Sequence, residues 1–256
     1  MLLLSTSSLT GYSLHRIFSF AKKAKYDGLD ITLNRLNYDF WDADYVKGLS
    51  DAFWIPVISI TAPLKWMNEK RVDRIVSLAK VTGAQLVTFS PPHLMDKNTK
   101  WFSHYLPRVK KDSHLSICIQ NVEAKFMFFI IPEYKNATLS ELKKITGDST
   151  LDISAIDPST GMDILKAQKM LGSSIKNVFF SDRRGSKAWL LPWTAGGGIS
   201  YLPLESFFMK LKTVWYSGHV TLKLRQTELW AWSEERVLQN LDYAKNYYAK
   251  HFQDFK

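Results

Sequence analysis

The chain of 256 residues carries 34 lysines and arginines against 24 aspartates and glutamates, a formal net charge of +10. Its 46% hydrophobic and 14% aromatic content, with 23% charged residues, excludes a disordered or low-complexity chain and provides for a packed core. A single cysteine, Cys118 in the apolar stretch SICIQN, excludes an intrachain disulfide and reads as a small buried hydrophobe in a cytoplasmic protein.

In chain order, short apolar runs alternate with longer amphipathic ones. The opening MLLLSTSSLTGYS lacks the basic flank and long apolar core of a signal peptide, and residues 2–7 read as a strand. A helix over 13–25 and a strand over 29–33 follow, separated by the turn YDG. Residues 42–53 are predicted as a helix, 56–60 as a strand, and 69–81 as a helix whose Val72, Ile75, Val76 and Ala79 fall at core-face spacing. After Gly83 comes a strand over 86–89, then a poorer helix over 98–109 that Pro107 is expected to interrupt near its end. Residues 115–120 read as a strand, 138–145 as a helix with Thr138 as cap and Glu141 three residues on, 150–154 as a strand and 163–171 as a helix. The remaining elements are strands over 175–180 and 219–224 and helices over 204–214 and 233–249. No apolar run approaches the ~20 residues of a membrane span.

Eight strands, each followed by a helix, require parallel pairing, because parallel strands need crossover connections. Eight such units in one domain over residues 1–256 are the usual size of a closed (β/α)8 TIM barrel. An open doubly wound sheet is the alternative, but it calls for a glycine-rich turn after its first strand, where STSSLTGYS has one glycine. In a barrel, chemistry belongs at the C-terminal strand ends. Those ends carry Asp30 and Thr32, Thr61, Ser90 with His93, Gln120 with Asn121 and Glu123, Asp152, Asp182 with Arg183, and Lys223 with Arg225. The connection after the seventh strand, SDRRGSKAWLLPWTAGGGISYLPL, is far longer than the ~2–6 residues usual there, and long loops often cover sites.

Seven fragments, among them YDGLDI, GAQLVTFSPP, ICIQNVE, LDISAIDPSTG and VFFSDRRG, stand in the order and spacing of the xylose isomerase-like TIM barrels. That superfamily includes sugar phosphate isomerases and epimerases and the apurinic endonuclease IV type, and the resemblance covers nearly the whole chain. It implies a divalent metal bound at the mouth, yet the matching positions depart from the pattern. The fifth strand ends in Gln120-Asn121 where the family has Glu-Asn. The sixth keeps Asp152 but has Ala155 for histidine, the seventh has Phe179 and Asp182, and Lys223 replaces the metal-binding glutamate of the eighth. One carboxylate and a neutral amide are too few for a divalent ion, so neither metal nor cofactor is expected.

The ammonium of Lys223 is therefore expected to take the vacated place and reach Asp152, with Gln120 beside them and Glu123 nearby as the other catalytic candidates. A buried structural pair without a catalytic role is the alternative. For substrate binding, Asp182 and Arg183 suit an anion, His93 could serve as a general base, and Asn121, Arg225 and Trp193 complete the set. His219 should face the barrel bottom. Three functions follow: a metal-independent isomerase or epimerase acting on a small sugar-like or anionic molecule, a non-catalytic barrel that binds a ligand or partner, and an endonuclease IV-like enzyme. The last is disfavoured, because that chemistry needs a metal-binding cluster and the basic residues lie singly or in pairs around the chain, as on a solvated surface.

Overall fold

A computed structural model of the chain describes residues 1–127, 130–157, 161–192, 202–229 and 233–253. Eight parallel strands close on themselves: β1 (Leu2–Ser5), β2 (Gly28–Thr32), β3 (Val57–Thr61), β4 (Leu86–Phe89), β5 (Ser116–Gln120), β6 (Asp148–Asp152), β7 (Ile175–Phe180) and β8 (His219–Leu222). Closure is made by β1 on β8, with Leu2 opposite Val220 and Leu4 opposite Leu222. The helices around them are α1 (Leu14–Lys23), α2 (Ala43–Phe53), α3 (Glu69–Thr82), α4 (Leu106–Ser113), α5 (Leu139–Thr146), α6 (Ile164–Leu171), α7 (Leu204–Thr213) and α8 (Glu234–Tyr248). The closed (β/α)8 barrel expected from the alternation is the observed fold.

Local chemistry sets the helix ends. Asn68 caps α3 by accepting from the Arg71 amide at 3.0 Å, and Gly83 ends it at φ +76°, where a side chain would be strained. The Thr138–Glu141 pair forms the predicted reciprocal cap on α5. Pro107 behaves differently from expectation. A π-helical turn over Trp101–Tyr105 comes first, and the proline then lies in the opening turn of α4, where its missing N–H costs nothing. Strand β6 starts two residues before the predicted span, and Ile153–Ala155 form a 3-10 turn at its mouth end.

The aliphatic core lies between sheet and helices, where Phe180, Phe208, Tyr247 and Tyr248 pack edge to face and stacked. Much of the lumen of the barrel is instead polar. Inward positions alternate along each strand, and they meet as Thr88 with Thr150 at 2.8 Å, Thr221 with Asn177 at 2.9 Å, and a group of hydroxyls around Asp30. Such barrels usually fill this space with Val, Ile and Leu. Here hydrogen bonds fix the layers, and the polar column leads up to the mouth.

Candidate functional site at the barrel mouth

Lys223 follows β8 directly, and its amide still donates to the Phe180 carbonyl at 3.1 Å, so the side chain keeps the inward direction of Thr221. The stem passes over the Phe179 ring of the intervening strand, with Nζ 4.2 Å from the ring centre, and the ammonium donates to Asp152 Oδ2 at 2.9 Å. Trp189 Nε1 donates to the same oxygen at 3.0 Å. Asp152 Oδ1 accepts from Ser154 Oγ at 3.0 Å and the Ala155 amide at 3.2 Å. The carboxylate, 2% exposed, thus has every face occupied by a donor, whereas Lys223 keeps 17% of its side chain exposed.

Trp189 reaches this point because the long connection after β7 begins as a hairpin, Asp182–Arg184 paired with Lys187–Leu190. Its backbone sits at φ +59°, a left-handed conformation that strains a residue of this size. The indole–carboxylate bond offsets that strain. The GGG stretch and Trp193 of the same connection lie outside the described residues, as do Tyr201, Trp230 and Trp232.

A second carboxylate underlies the mouth. Asp30 is fully buried; its Oδ1 accepts from Ser59 Oγ at 2.7 Å and Thr61 Oγ1 at 2.8 Å, and its Oδ2 from Ser5 Oγ at 2.9 Å and Thr32 Oγ1 at 3.1 Å. Burial raises its pKa, and the hydroxyl bonds with the nearby Lys223 charge oppose that shift without cancelling it. The sequence placed Asp30 at a strand end but gave no reason to prefer it. The signal was the ring of hydroxyls at matching inward positions of β1, β2 and β3.

The other predicted residues separate into two groups. Gln120 does not join the Lys223–Asp152 pair; its amide donates to Ser90 Oγ at 2.5 Å, and its buried Oε1 has no partner among the described residues at the cavity floor. Asn121 is a backbone clasp, with Nδ2 donating to the Asp152 carbonyl at 2.8 Å and Oδ1 accepting from the Asp152 amide at 2.7 Å. Glu123 turns away toward Arg183, whose Nη1 donates to it at 3.0 Å. Arg183 is itself 2% exposed and also donates to Asp157, the Ser154 carbonyl and the Gly185 carbonyl, so the anion grip expected of it is spent inside the protein. Asp182 is buried and accepts from the Arg183 amide at 2.7 Å. His93 is held by the Met95 amide on Nδ1 and lies 3.4 Å from Glu133, joining the β4–α4 connection to the Tyr134 segment. Arg225 does reach the mouth, its guanidinium 5.8 Å from the Trp189 ring centre.

Above Asp30 and Lys223 opens a cavity of about 850 Å³. Its lining includes six cations, Arg35, Lys65, Arg71, Arg74, Lys223 and Arg225, and among the described residues no carboxylate, histidine or cysteine. Four of these cations come from the β2–α2 and β3–α3 connections and the start of α3, which the sequence reading did not single out. The available signal was basic residues interleaved with aromatics in NRLNYDFW and LKWMNEKRVDR.

The donors at this mouth do not fit a divalent metal. Such an ion needs several anionic or imidazole ligands at ~2.0–2.6 Å, and among the described residues no group of three or more His, Cys, Asp or Glu side chains converges. Both oxygens of Asp152 are engaged, and the group facing it is an ammonium.

No protein-family model matches the chain. An uncharacterized protein of Mycobacterium leprae is 24% identical over 280 aligned positions, covering 95% of this chain and 96% of that protein. A Mycobacterium tuberculosis protein, also uncharacterized, is 26% identical over 128 residues and covers 46% of this chain. Among solved structures, a xylose isomerase domain-containing protein of Salmonella typhimurium superposes with a TM-score of 0.72 at 13% identity, covering 96% of both chains. The fold is that of the xylose isomerase-like TIM barrels. Within that fold the IolI protein, solved with a bound zinc atom, matches with a TM-score of 0.72 at 15% identity over 98% of this chain and 99% of its own. Endonuclease IV of Thermus thermophilus matches at 0.59 and 14%, over 97% and 99%. The xylose isomerase-like fold therefore extends over essentially the whole chain.

Proposed function

We propose that the mouth of this barrel binds a small anionic, sugar-like molecule, and that Lys223 stands where a divalent cation would otherwise polarise it, giving isomerase or epimerase chemistry without a metal. The observation that carries this reading is the Lys223 ammonium, fixed 2.9 Å from Asp152 and exposed to a cavity whose other charges, among the described residues, are all positive. A fixed ammonium in a partly desolvated site stabilises an enolate or alkoxide oxygen as charge develops on it. Asp152 orients the lysine, and the orphan Oε1 of Gln120 offers an acceptor to a substrate hydroxyl. The fold shared with xylose isomerase domain proteins supports the reaction class. No helix of the described residues is long and apolar enough to cross a membrane. A cytoplasmic location is part of the proposal and is supported by the single, buried, free cysteine.

One observation favours a second reading, a barrel that binds without turnover. Among the described cavity-lining residues no carboxylate, histidine or cysteine is present to exchange a proton with a substrate, and Lys223 shares that role only with Tyr38 and Lys65 at the rim. Solvent deuterium incorporation into small ketose and aldose phosphates, followed by proton NMR in the presence of a chelator, separates the two. The isomerase reading expects exchange that survives chelation and is lost in Lys223→Met. Exchange that appears only with added metal would sink the metal-free mechanism, and saturable anion binding without exchange would leave the binding barrel. A Lys223→Met protein that is destabilised yet binds normally would reduce the pair to a structural one. A nucleic-acid enzyme is disfavoured; it would show binding to duplex DNA that falls steeply with salt.

A further inference from the structure

The rim of the cavity carries more positive charge than a sugar monophosphate would use. Arg35, Lys65, Arg71 and Arg74 have no ion pair with a carboxylate among the described residues, although the chain forms such pairs elsewhere. A phosphate monoester carries about −1.5 to −2 at neutral pH, so four cations on one wall call for a second anionic group. Two of the guanidiniums are held by aromatic rings instead of acids: Arg74 lies 4.9 Å from the Trp41 ring centre and Arg35 lies 5.8 Å from that of Trp66. Stacking of this kind fixes a guanidinium while leaving its N–H edge open to bidentate contact with phosphate.

The same wall presents aromatic surface to solvent. Trp66 is 65% exposed and Tyr38 81% exposed. Trp66 is also held in place, since Arg71 Nη1 donates to its carbonyl and its backbone occupies a left-handed conformation at φ +68°. A large ring on a pinned backbone, with Arg35 near it and most of its surface exposed, suits a planar partner. The cavity volume of about 850 Å³ lies in the upper part of the ~300–1,000 Å³ range of ligand sites, more than one monosaccharide fills.

We propose that the ligand is a diphosphate ester bearing a planar ring, of nucleoside-diphosphate size, with its diphosphate on the Arg35–Arg71–Arg74 wall, its ring stacked on Trp66, and any sugar-like group directed to Lys223. This deepens the anion-binding reading of the mouth and rests on it. The test uses uridine diphosphate and adenosine diphosphate, with pyrophosphate and uridine as controls, in calorimetric titrations of the whole chain at low salt. The nucleoside diphosphates bind about tenfold or more tighter than pyrophosphate. Arg35→Ala and Arg74→Ala each weaken them about tenfold, and Trp66→Ala brings them down to the affinity of pyrophosphate. Arg35 and Arg74 are exposed, so unchanged melting temperatures verify that these variants are folded. Equal binding of pyrophosphate and the nucleotides, or full binding by the rim variants, overturns the proposal. If pyrophosphate binding is then lost in Lys223→Met, the anion-binding floor survives while the rim assignment falls; if no anion binds the wild-type chain, both fall.

Discussion

Both sides of the mouth carry arginines and dispose of them in opposite ways. Between β5 and β7, the guanidinium of Arg183 is 2% exposed and satisfied by Glu123, Asp157 and two backbone carbonyls. Between β2 and β3, Arg35, Arg71 and Arg74 line an open cavity with no carboxylate in ion-pair reach among the described residues. Asp182 and Arg183 were the residues expected to grip an anion, and Arg183 is already consumed. Whether an arginine is available depends on the acceptors that neighbouring loops bring to it, which spacing along one loop does not reveal.

That contrast can be broken most directly by substitution on each side. Arg183→Met leaves the largely buried Glu123 carboxylate with only the exposed Lys125 at 3.4 Å and should cost about 3 kcal/mol of stability. Arg35→Ala should stay within about 0.5 kcal/mol, as exposed substitutions do. Urea denaturation of the two variants measures both, and similar costs would erase the distinction between a spent and an available guanidinium. Lys223→Met comes next. Asp152 loses one donor but keeps Trp189, Ser154 and the Ala155 amide, so the expected loss is about 2 kcal/mol. A double-mutant cycle with Asp152→Asn should return a coupling of about 1 kcal/mol or more; a coupling near zero would mean that the contact holds nothing together.

Much of the barrel was legible in the sequence, because alternating apolar runs and caps such as Thr138–Glu141 are local signals. Strand β6 was read late because Asp148 and Ser149 look like loop residues, yet both are buried by partners outside the strand, Asp148 with Lys110 and Ser149 with Ser174. The Lys223–Asp152 contact was expected because the resemblance put Lys223 in place of a metal-binding glutamate, and next-adjacent strands in a barrel lie within a lysine's reach of each other. Gln120 turned from the expected contact with Asp152 because its strand has two neighbours, and Ser90 on the β4 side captured its amide. The rim arginines were missed because their role arises from two connections meeting in space.

The smallest effect tests the two ends of the lumen against each other by pH. Asp30 beneath the mouth and His219 at the barrel bottom are each held toward the neutral form, the first by burial that raises its pKa, the second by burial and the nearby Met1 amino group, which lower it. Their slopes oppose. Asp30 binds its proton more tightly in the folded chain, so its contribution falls as pH rises from the ordinary carboxylate value of about 3.9 toward the raised one. His219 binds its proton less tightly when folded, so its contribution is whole above about 6.5 and is lost as pH falls from there through the lowered value. Urea midpoints of Asp30→Asn should therefore lack the first slope and those of His219→Gln the second, each variant otherwise following the wild-type curve. If His219→Gln keeps the loss below about 6.5, the imidazole is not held neutral by its position under β8, and the polar lumen is wetter at its base than its hydrogen bonds imply.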